Sequence, residues 1–559
     1  MTKSKNWIEQ TADNVEEFVR QKTGSKIICA SGISPSGPIH LGNLRELMTV
    51  HLITEELLSR GRNAEHIHSW DDFDRLRKVP ANVPESFQQF IGRPICDIPD
   101  PFGEYVSYAE RYIVEFERSV RRLGVRPRYI RQSTAYRRGD YNEQIKIAMD
   151  RRFEIFDILS QFQTLERHEK SANERRLEYY PFKVYCEFCQ TDATVIISYE
   201  PDTEAIVYVC QNCGHKGSFR INEKVSGKLV WKVDWPMRWS FEGVDFEPGG
   251  EDHSSPGSSY TVGKEIVSKI YGGVAPYFVG YAFVGLAGRS KISSSVGTSA
   301  TPQIALEILE PAILRWLYIR RHVGQKFDVD FGREILRLYD EWDALVTRVT
   351  NGKGTETDQA TYGRCIQTSQ GKVKRSELLV SFRILSSAAD ITQGNVEQIL
   401  RIVSDHLDNP PDMSTLKELL EPRLTCAINW ATNYLPEDER THVNARHDQL
   451  TYAALSKAHQ CGISILLERL DENWSLKGLT SLIYGIPKLI IGLPIDAPPS
   501  EEIKIVQRGF FTSIYRMLCG RDTGPRLPTL FLSLGQERLR TLLSSESRPI
   551  AQSAQLPGE

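Results

Sequence analysis

Nowhere among the 559 residues does an apolar run reach the roughly 18 positions that a bilayer crossing needs. The most apolar stretch, Leu479 to Pro494, is broken by Pro487 and Lys488, so no membrane span is expected. The start, Met1 to Gln10, lacks the apolar h-region of a secretory signal, and a cytoplasmic location is the expectation. An excess of positive charge is also missing: 69 basic residues stand against 72 acidic ones, for a net charge of −3. A chain wrapped generally in nucleic acid carries a broad basic surplus, so no DNA partner is expected and any polyanion must be met by a local patch. One such patch lies between Arg118 and Arg138, where Arg118, Arg121, Arg122, Arg126, Arg128, Arg131, Arg137 and Arg138 alternate with Tyr129 and Tyr136. It reads either as a solvated helix face followed by a loop or as an RNA contact. The length implies three or four domains, because single cores stop growing near about 250–300 residues.

Cysteine is sparse, and six of the ten, Cys29, Cys96, Cys365, Cys426, Cys461 and Cys519, are isolated. They read as small buried residues, since disulfides are disfavoured in a reducing compartment. The other four form two knuckles, Cys186-x2-Cys189 and Cys210-x2-Cys213, twenty residues apart. Each knuckle offers two thiolates on one tight turn, the spacing of a four-cysteine zinc ribbon. Four thiolates leave no open position on the metal, so the zinc is expected to be structural.

The stretch around which the chain is organised is Ser31-Gly-Ile-Ser-Pro-Ser-Gly-Pro-Ile-His40-Leu-Gly-Asn43. Before it, Lys26 to Ala30 has strand length and β-branched content; after it, Leu41 to Leu58 carries apolar residues at helical spacing. Gly32, Gly37 and Gly42 let backbone approach a ligand closely, and the helix start points free N–H groups at the loop. A plain strand-to-helix turn is the alternative. Asn63 to His68 reads as a second parallel strand, which would bring Asp71, Asp72 and Asp74 beside the loop holding His40 unless they are a surface acidic turn. Downstream lies a second flexible loop, Gly288 to Gly297, with Lys291 and the hydroxyls of Ser293, Ser294 and Ser295.

Together the two loops resemble the signatures of class I aminoacyl-tRNA synthetases. His40-Leu-Gly-Asn43 stands for His-Ile-Gly-His, and Lys291-Ile-Ser-Ser-Ser295 for Lys-Met-Ser-Lys-Ser. The run Val233-Asp-Trp-Pro-Met-Arg-Trp239, which otherwise reads equally as pocket wall or core strand, is similar to that of class I lysyl-tRNA synthetases. The resemblance implies an α/β fold: a doubly wound parallel-sheet catalytic domain, a zinc-ribbon insertion and an all-helical C-terminal domain. It implies ATP, Mg2+, L-lysine and tRNA as ligands. Pro35, Ser36, Gly37, His40, Gly42, Asn43 and Lys291 would hold ATP. His40 and Asn43 would donate to phosphate oxygens, and Lys291 with Ser293, Ser294 and Ser295 would hold the departing pyrophosphate. Gly32 and Ser34 would meet the lysine α-amino and carboxylate groups, and Trp231, His253 and Tyr281 its side chain.

On this reading residues 1–93 and 226–300 form the two catalytic halves and 94–225 the insertion receiving the tRNA acceptor end. Residues 301–375 are a helical stem and linker, 376–543 grip the anticodon and 544–559 are a disordered tail. A helix over Trp7 to Val19 is expected to cap the first half. Within the insertion one long amphipathic helix is expected over Asn142 to Glu166; a strand is expected over Tyr277 to Val284, and a polar linker over Thr350 to Lys374. Three departures from the family pattern, Val296 for lysine, Glu251 for lysine and Ala282 for glutamate, change the formal charge by −1, −2 and +1, or −2 together. The expected function is ATP-dependent lysine–tRNA ligation through lysyl-adenylate. The alternatives are a specialised paralogue charging another acceptor and an inactive tRNA-binding homologue.

Overall fold

The computed structural model describes residues 5–20, 25–81, 83–162, 171–253, 257–286, 300–407 and 409–544. The chain divides into two compact units: Met1–Leu306 with Pro311–Asp330 and Leu345–Lys374, and Glu307–Glu310 with Phe331–Ala344 and Arg375–Glu559.

The first unit is built on a parallel sheet of β1 (Ile27–Ile33), β2 (Ala64–Trp70), β3 (Arg128–Arg131) and the strand Val244–Phe246, in the order β3, β2, β1, Val244–Phe246. Parallel strands covered on both faces are expected to be apolar, yet β1 and β2 bury Ser31, His66 and His68. These partly satisfy one another: the Ser31 hydroxyl lies 2.9 Å from His66 Nε2 and 2.7 Å from His68 Nδ1, while His66 Nδ1 and His68 Nε2 are buried without a hydrogen-bond partner among the described residues. Beyond Phe246 the pairing continues onto the segment Tyr277 to Tyr281, through Tyr277 N–H to Asp245 C=O at 2.8 Å and the parallel pair Gly250–Tyr281. Chain order therefore reverses between β1 and Val244–Phe246, and the open ends of strands at such a switch point are where α/β sheets bind ligands. Helix α1 (Trp7–Phe18) and helix α2 (Leu41–Ser59) pack together, the latter starting directly from the loop after β1.

Four expectations change. The sheet needs β3, which lies inside the expected insertion of 94–225; its arginine-rich sequence hides an edge strand whose Ile130 and Tyr129 pair with Ser69 and His68. Five of the eight patch arginines are held by the protein itself: Arg122 donates to Leu306 C=O, Arg128 pairs with Glu242, Arg131 with Glu110, Arg137 with Asp97 and Arg138 with Asp140, while Arg118, Arg121 and Arg126 are exposed. The long helix over 142–166 is two helices, Asn142–Asp150 and Arg152–Ser160, broken at Arg151, whose guanidinium turns to the carbonyl of Ile270 at 3.0 Å; residues 163–170 lie outside the described residues. Residues 350–374 are no linker. They form the helix Glu356–Ile366 and a two-residue hairpin, fixed when Arg364 reaches Glu9 at 2.9 Å and Glu56 at 2.8 Å and Ser369 reaches Glu55 at 2.6 Å.

The ribbon is a three-stranded antiparallel sheet of Thr194–Glu200, Ala205–Cys210 and Lys216–Arg220. In the second unit every described element after Arg375 is helical, around a core that includes Leu466, Leu482, Phe510 and Leu530. The expected tail, 544–559, lies outside the described residues apart from Ser544.

The tryptophan run is a helix, Trp231–Glu242. A spacing of four sets Trp231, Trp235 and Trp239 on one face, with ring centroids 5.3 Å and 4.8 Å apart along the row. The neighbouring helix Ser259–Lys269 fits because Gly263 has no side chain: a Cβ there would sit 2.8 Å from the Trp239 ring. Gly263→Ala is expected to lose about 1–3 kcal/mol of stability despite alanine's better helix propensity, read as a lower denaturation midpoint.

Candidate active site

The loop after β1 ends at the start of α2, where His40, Gly42 and Asn43 come together. His40 is the cap: its N–H donates to Asn43 Oδ1 at 3.3 Å, and the Asn43 N–H donates to His40 Nδ1 at 3.3 Å. Because Nδ1 accepts, the neutral imidazole carries its proton on Nε2, a donor set beside the positive end of the helix. Gly42 is required by the same packing, since a Cβ at 42 would lie 2.8 Å from the imidazole ring. Pro35 and Gly37 are buried, and the Tyr108 hydroxyl donates to Ser36 C=O at 2.9 Å, fixing the loop. Lys291, Ser293, Ser294, Ser295 and Val296 lie outside the described residues.

Gly32 and Tyr281, 249 positions apart in sequence, are joined by a residue the sequence reading missed. Glu46 accepts from the Gly32 N–H through Oε1 at 2.7 Å and from the Tyr281 hydroxyl through Oε2 at 2.7 Å. Its side chain is part-buried. Burial, with Glu247 and Asp71 nearby, pushes its carboxyl up to about 8 against the two hydrogen bonds that favour the charge. A carboxyl so raised makes the fold less stable as pH climbs from its ordinary value of 4.5 towards 8. A cation placed against Glu46 reverses that cost. Within the first three turns of α2, charge appears only at Arg45 and Glu46, and that interruption of an apolar helix was the signal available. Arg45 turns away, donating to Gln325 C=O and His322 C=O at 2.9 Å each.

Trp231 and His253 are brought together through Trp235, which stacks on the first and lies edge-on to the second at 5.7 Å. Trp239 donates to Glu247 Oε2 at 2.7 Å. Behind this wall lies a buried network. Asp234 takes the Tyr136 hydroxyl, Arg238 at 3.3 Å and Lys228 at 3.7 Å; Arg238 also pairs with Asp71 at 3.0 Å, and Lys228 with Asp74 at 2.6 Å. Asp72 instead accepts from Ser133, at 2.8 Å from its N–H and 2.5 Å from its hydroxyl. The three aspartates after β2 are therefore structural as well as close to the site: Asp71 N–H donates to Ile33 C=O at 3.0 Å. Burial raises the Asp71 carboxyl; burial acts on Asp74 too, but the charge and hydrogen bond of Lys228 together with the charges of Arg77 and Arg238 outweigh it and hold that carboxyl down.

Ser34 and Ser36 line a concave space of 230 Å³ together with the loop after β2, including Asp74, Arg77 and Lys78. The Sγ atoms of Cys186, Cys189, Cys210 and Cys213 all lie within 4.8 Å of one another, with Cys186 to Cys213 at 3.7 Å and Cys189 to Cys210 at 3.6 Å. Tetrahedral thiolates at about 2.3 Å from zinc stand about 3.8 Å apart, so this donor set fits the ion.

Residues 5–372 match the family described as tRNA synthetases class I (K), and the chain belongs to that family. A lysine–tRNA ligase of Streptomyces coelicolor is 44% identical over 574 aligned residues, covering 97% of this chain and 98% of that protein. One from Pyrococcus horikoshii is 33% identical over 534 residues, with 95% and 97% covered, and one from Borreliella burgdorferi 31% identical over 542, with 95% and 98% covered. Among the described residues no helix is long and apolar enough to cross a membrane.

Purified protein is expected to carry one zinc per chain by metal analysis. Cys186→Ser combined with Cys210→Ser should lose it and lower the unfolding midpoint; full retention of metal by that variant rejects the site.

Proposed function

We propose that this chain is an ATP-dependent lysine–tRNA ligase that forms lysyl-adenylate and then transfers the lysyl group to tRNA. The observation that carries this reading is Glu46, a carboxylate clamped between Gly32 and Tyr281 at the sheet's switch point. Around it, Asp71, Asp74, Asp234 and Glu247 outnumber Lys228 and Arg238, so the surroundings favour a cationic side chain. The ε-ammonium of lysine fits that charge, and the row Trp231, Trp235 suits its alkyl stem. The carboxylate of the substrate would lie towards Gly32 and Ser34. ATP, entering as its Mg2+ complex, would lay its phosphates at the start of α2, where His40 Nε2–H and the helix end stabilise charge developing on the phosphate oxygens. Lys291 with Ser293, Ser294 and Ser295 would hold pyrophosphate. The four cysteines would hold a structural zinc.

ATP–pyrophosphate exchange with each of the twenty amino acids tests the reading: lysine should drive exchange, and absence of exchange with lysine, with and without tRNA, refutes it. The clamp adds a pH dependence. Below about 8 the Glu46 carboxyl holds a proton, while lysine, whose amine titrates near about 10.4, pairs with the carboxylate. Lysine affinity is therefore expected to rise with pH up to about 8, by at most about tenfold per unit, and then to level off. Glu46→Gln should raise the lysine KM by about tenfold or more and flatten that profile; an unchanged profile removes Glu46 from the pocket.

The insertion would meet the acceptor end of tRNA and the helical region 376–543 its anticodon. Within the second unit an 890 Å³ cavity is lined by Arg521, Arg526, Ser387, Thr441 and Thr523, with Asp390, Asp438 and Glu439 also on its wall, where Asp390 accepts from the Thr441 N–H and Glu439 pairs with Arg333. Among the described residues Arg521 and Arg526 form no ion pair, and cations with hydroxyls in a concavity suit an unstacked nucleotide. Arg521→Ala and Arg526→Ala should each raise the tRNA KM by about tenfold and reduce its salt dependence. An unchanged KM in both would reject this cavity.

A further inference from the structure

The loop after β2 holds two cations that the fold does not use. Its backbone is clamped: Leu76 N–H donates to Arg93 C=O at 2.8 Å, Gly92 N–H returns to Leu76 C=O at 2.9 Å, Arg75 bridges Pro94, and Leu76 and Pro80 are buried. The loop's other charges are committed. Asp71 is taken by Arg238, Asp74 by Lys228 at 2.6 Å, and Arg75 by Asp192 at 2.8 Å. Among the described residues Arg77 and Lys78 make no hydrogen bond or ion pair, although the charge of Arg77 is felt by Asp74. Both are exposed, and both line the 230 Å³ concavity that Ser34, Ser36 and Asp74 also line.

Adjacent like charges on a fixed loop repel, by about 1 kcal/mol at 4 Å in water. Most arginines elsewhere in this unit are paired off, as Arg111, Arg128, Arg131 and Arg176 are. A guanidinium offers a planar fork to phosphate oxygens, an ammonium a point charge beside it, and two serines line the same concavity. The acid nearest to hand, Asp74, cannot neutralise the pair because Lys228 already occupies it. We infer that Arg77 and Lys78, with Ser34 and Ser36, form a phosphate-binding subsite of the active site. The inference rests on the ligase reading above, whose reaction brings two phosphate-bearing substrates to this loop: the triphosphate of ATP and the phosphodiester at the acceptor end of tRNA.

The test uses Arg77→Gln, Lys78→Gln, the double variant and Arg77→Lys in the full chain. The KM for ATP is read from pyrophosphate exchange without tRNA, and the KM for tRNA from aminoacylation at several salt concentrations, beside the unfolding midpoint. The double variant should raise one of these constants by about tenfold or more at an unchanged midpoint, with Arg77→Lys intermediate. A rise for ATP assigns the subsite to the triphosphate. A rise for tRNA, with the log-salt slope falling by about 0.7 per lost contact, assigns it to the acceptor strand. Both constants within about twofold of wild type overturn the inference, and so does a lowered midpoint in both single variants without a change in either constant. A wild-type chain inactive with lysine refutes the ligase reading; an active wild type with indifferent variants refutes the subsite alone.

Discussion

The Asp234 carboxylate, fully buried, is the tie on which the site depends. It collects Tyr136, Arg238 and Lys228, and these in turn reach Asp71 and Asp74, so one network fastens the tryptophan helix, the strand Gly227–Leu229 and the loop after β2. Removing one partner of a buried ion pair strands the other charge and typically costs about 3–5 kcal/mol. Three acids against two bases also leave the network negative. The charge that holds the segments together is thus the same charge that biases the pocket towards a cation.

That bias divides the site into two ends. Around Glu46, Glu247 and the aspartates the field is negative; at His40 and the start of α2 it is positive. On the proposed reading, a substrate with a positive side chain and a nucleotide with negative phosphates would each be drawn to one end, with the reacting carboxylate between them. Arg77 and Lys78, which line one concavity with Ser34 and Ser36, add positive charge beside the loop after β1.

Local pattern made the first strand, loop and helix legible, because period and glycine placement lie within thirty-odd residues. The tryptophan spacing of four was equally present in the sequence and identifies a helix face, where the eye goes first to composition. Glu46 could not be located as a pocket residue from sequence, since its partners Gly32 and Tyr281 lie 14 and 235 positions away. β3 was masked by its arginines, whose partners come from distant helices. The stretch 350–374 was masked by polarity: a segment rich in charge looks like a linker until Glu9, Glu55 and Glu56 are seen to receive it.

If His40 acts as proposed, its reciprocal cap with Asn43 makes local folding and chemical readiness one event. The bonds that end the fraying of α2 are those that set the imidazole tautomer. A substitution there cannot be sorted by asking whether it harms structure or activity, because unwinding a single turn erases the oriented donor. Hydrogen-exchange protection at the first amides of α2 thereby becomes a measure of how often the site is assembled before any ligand arrives.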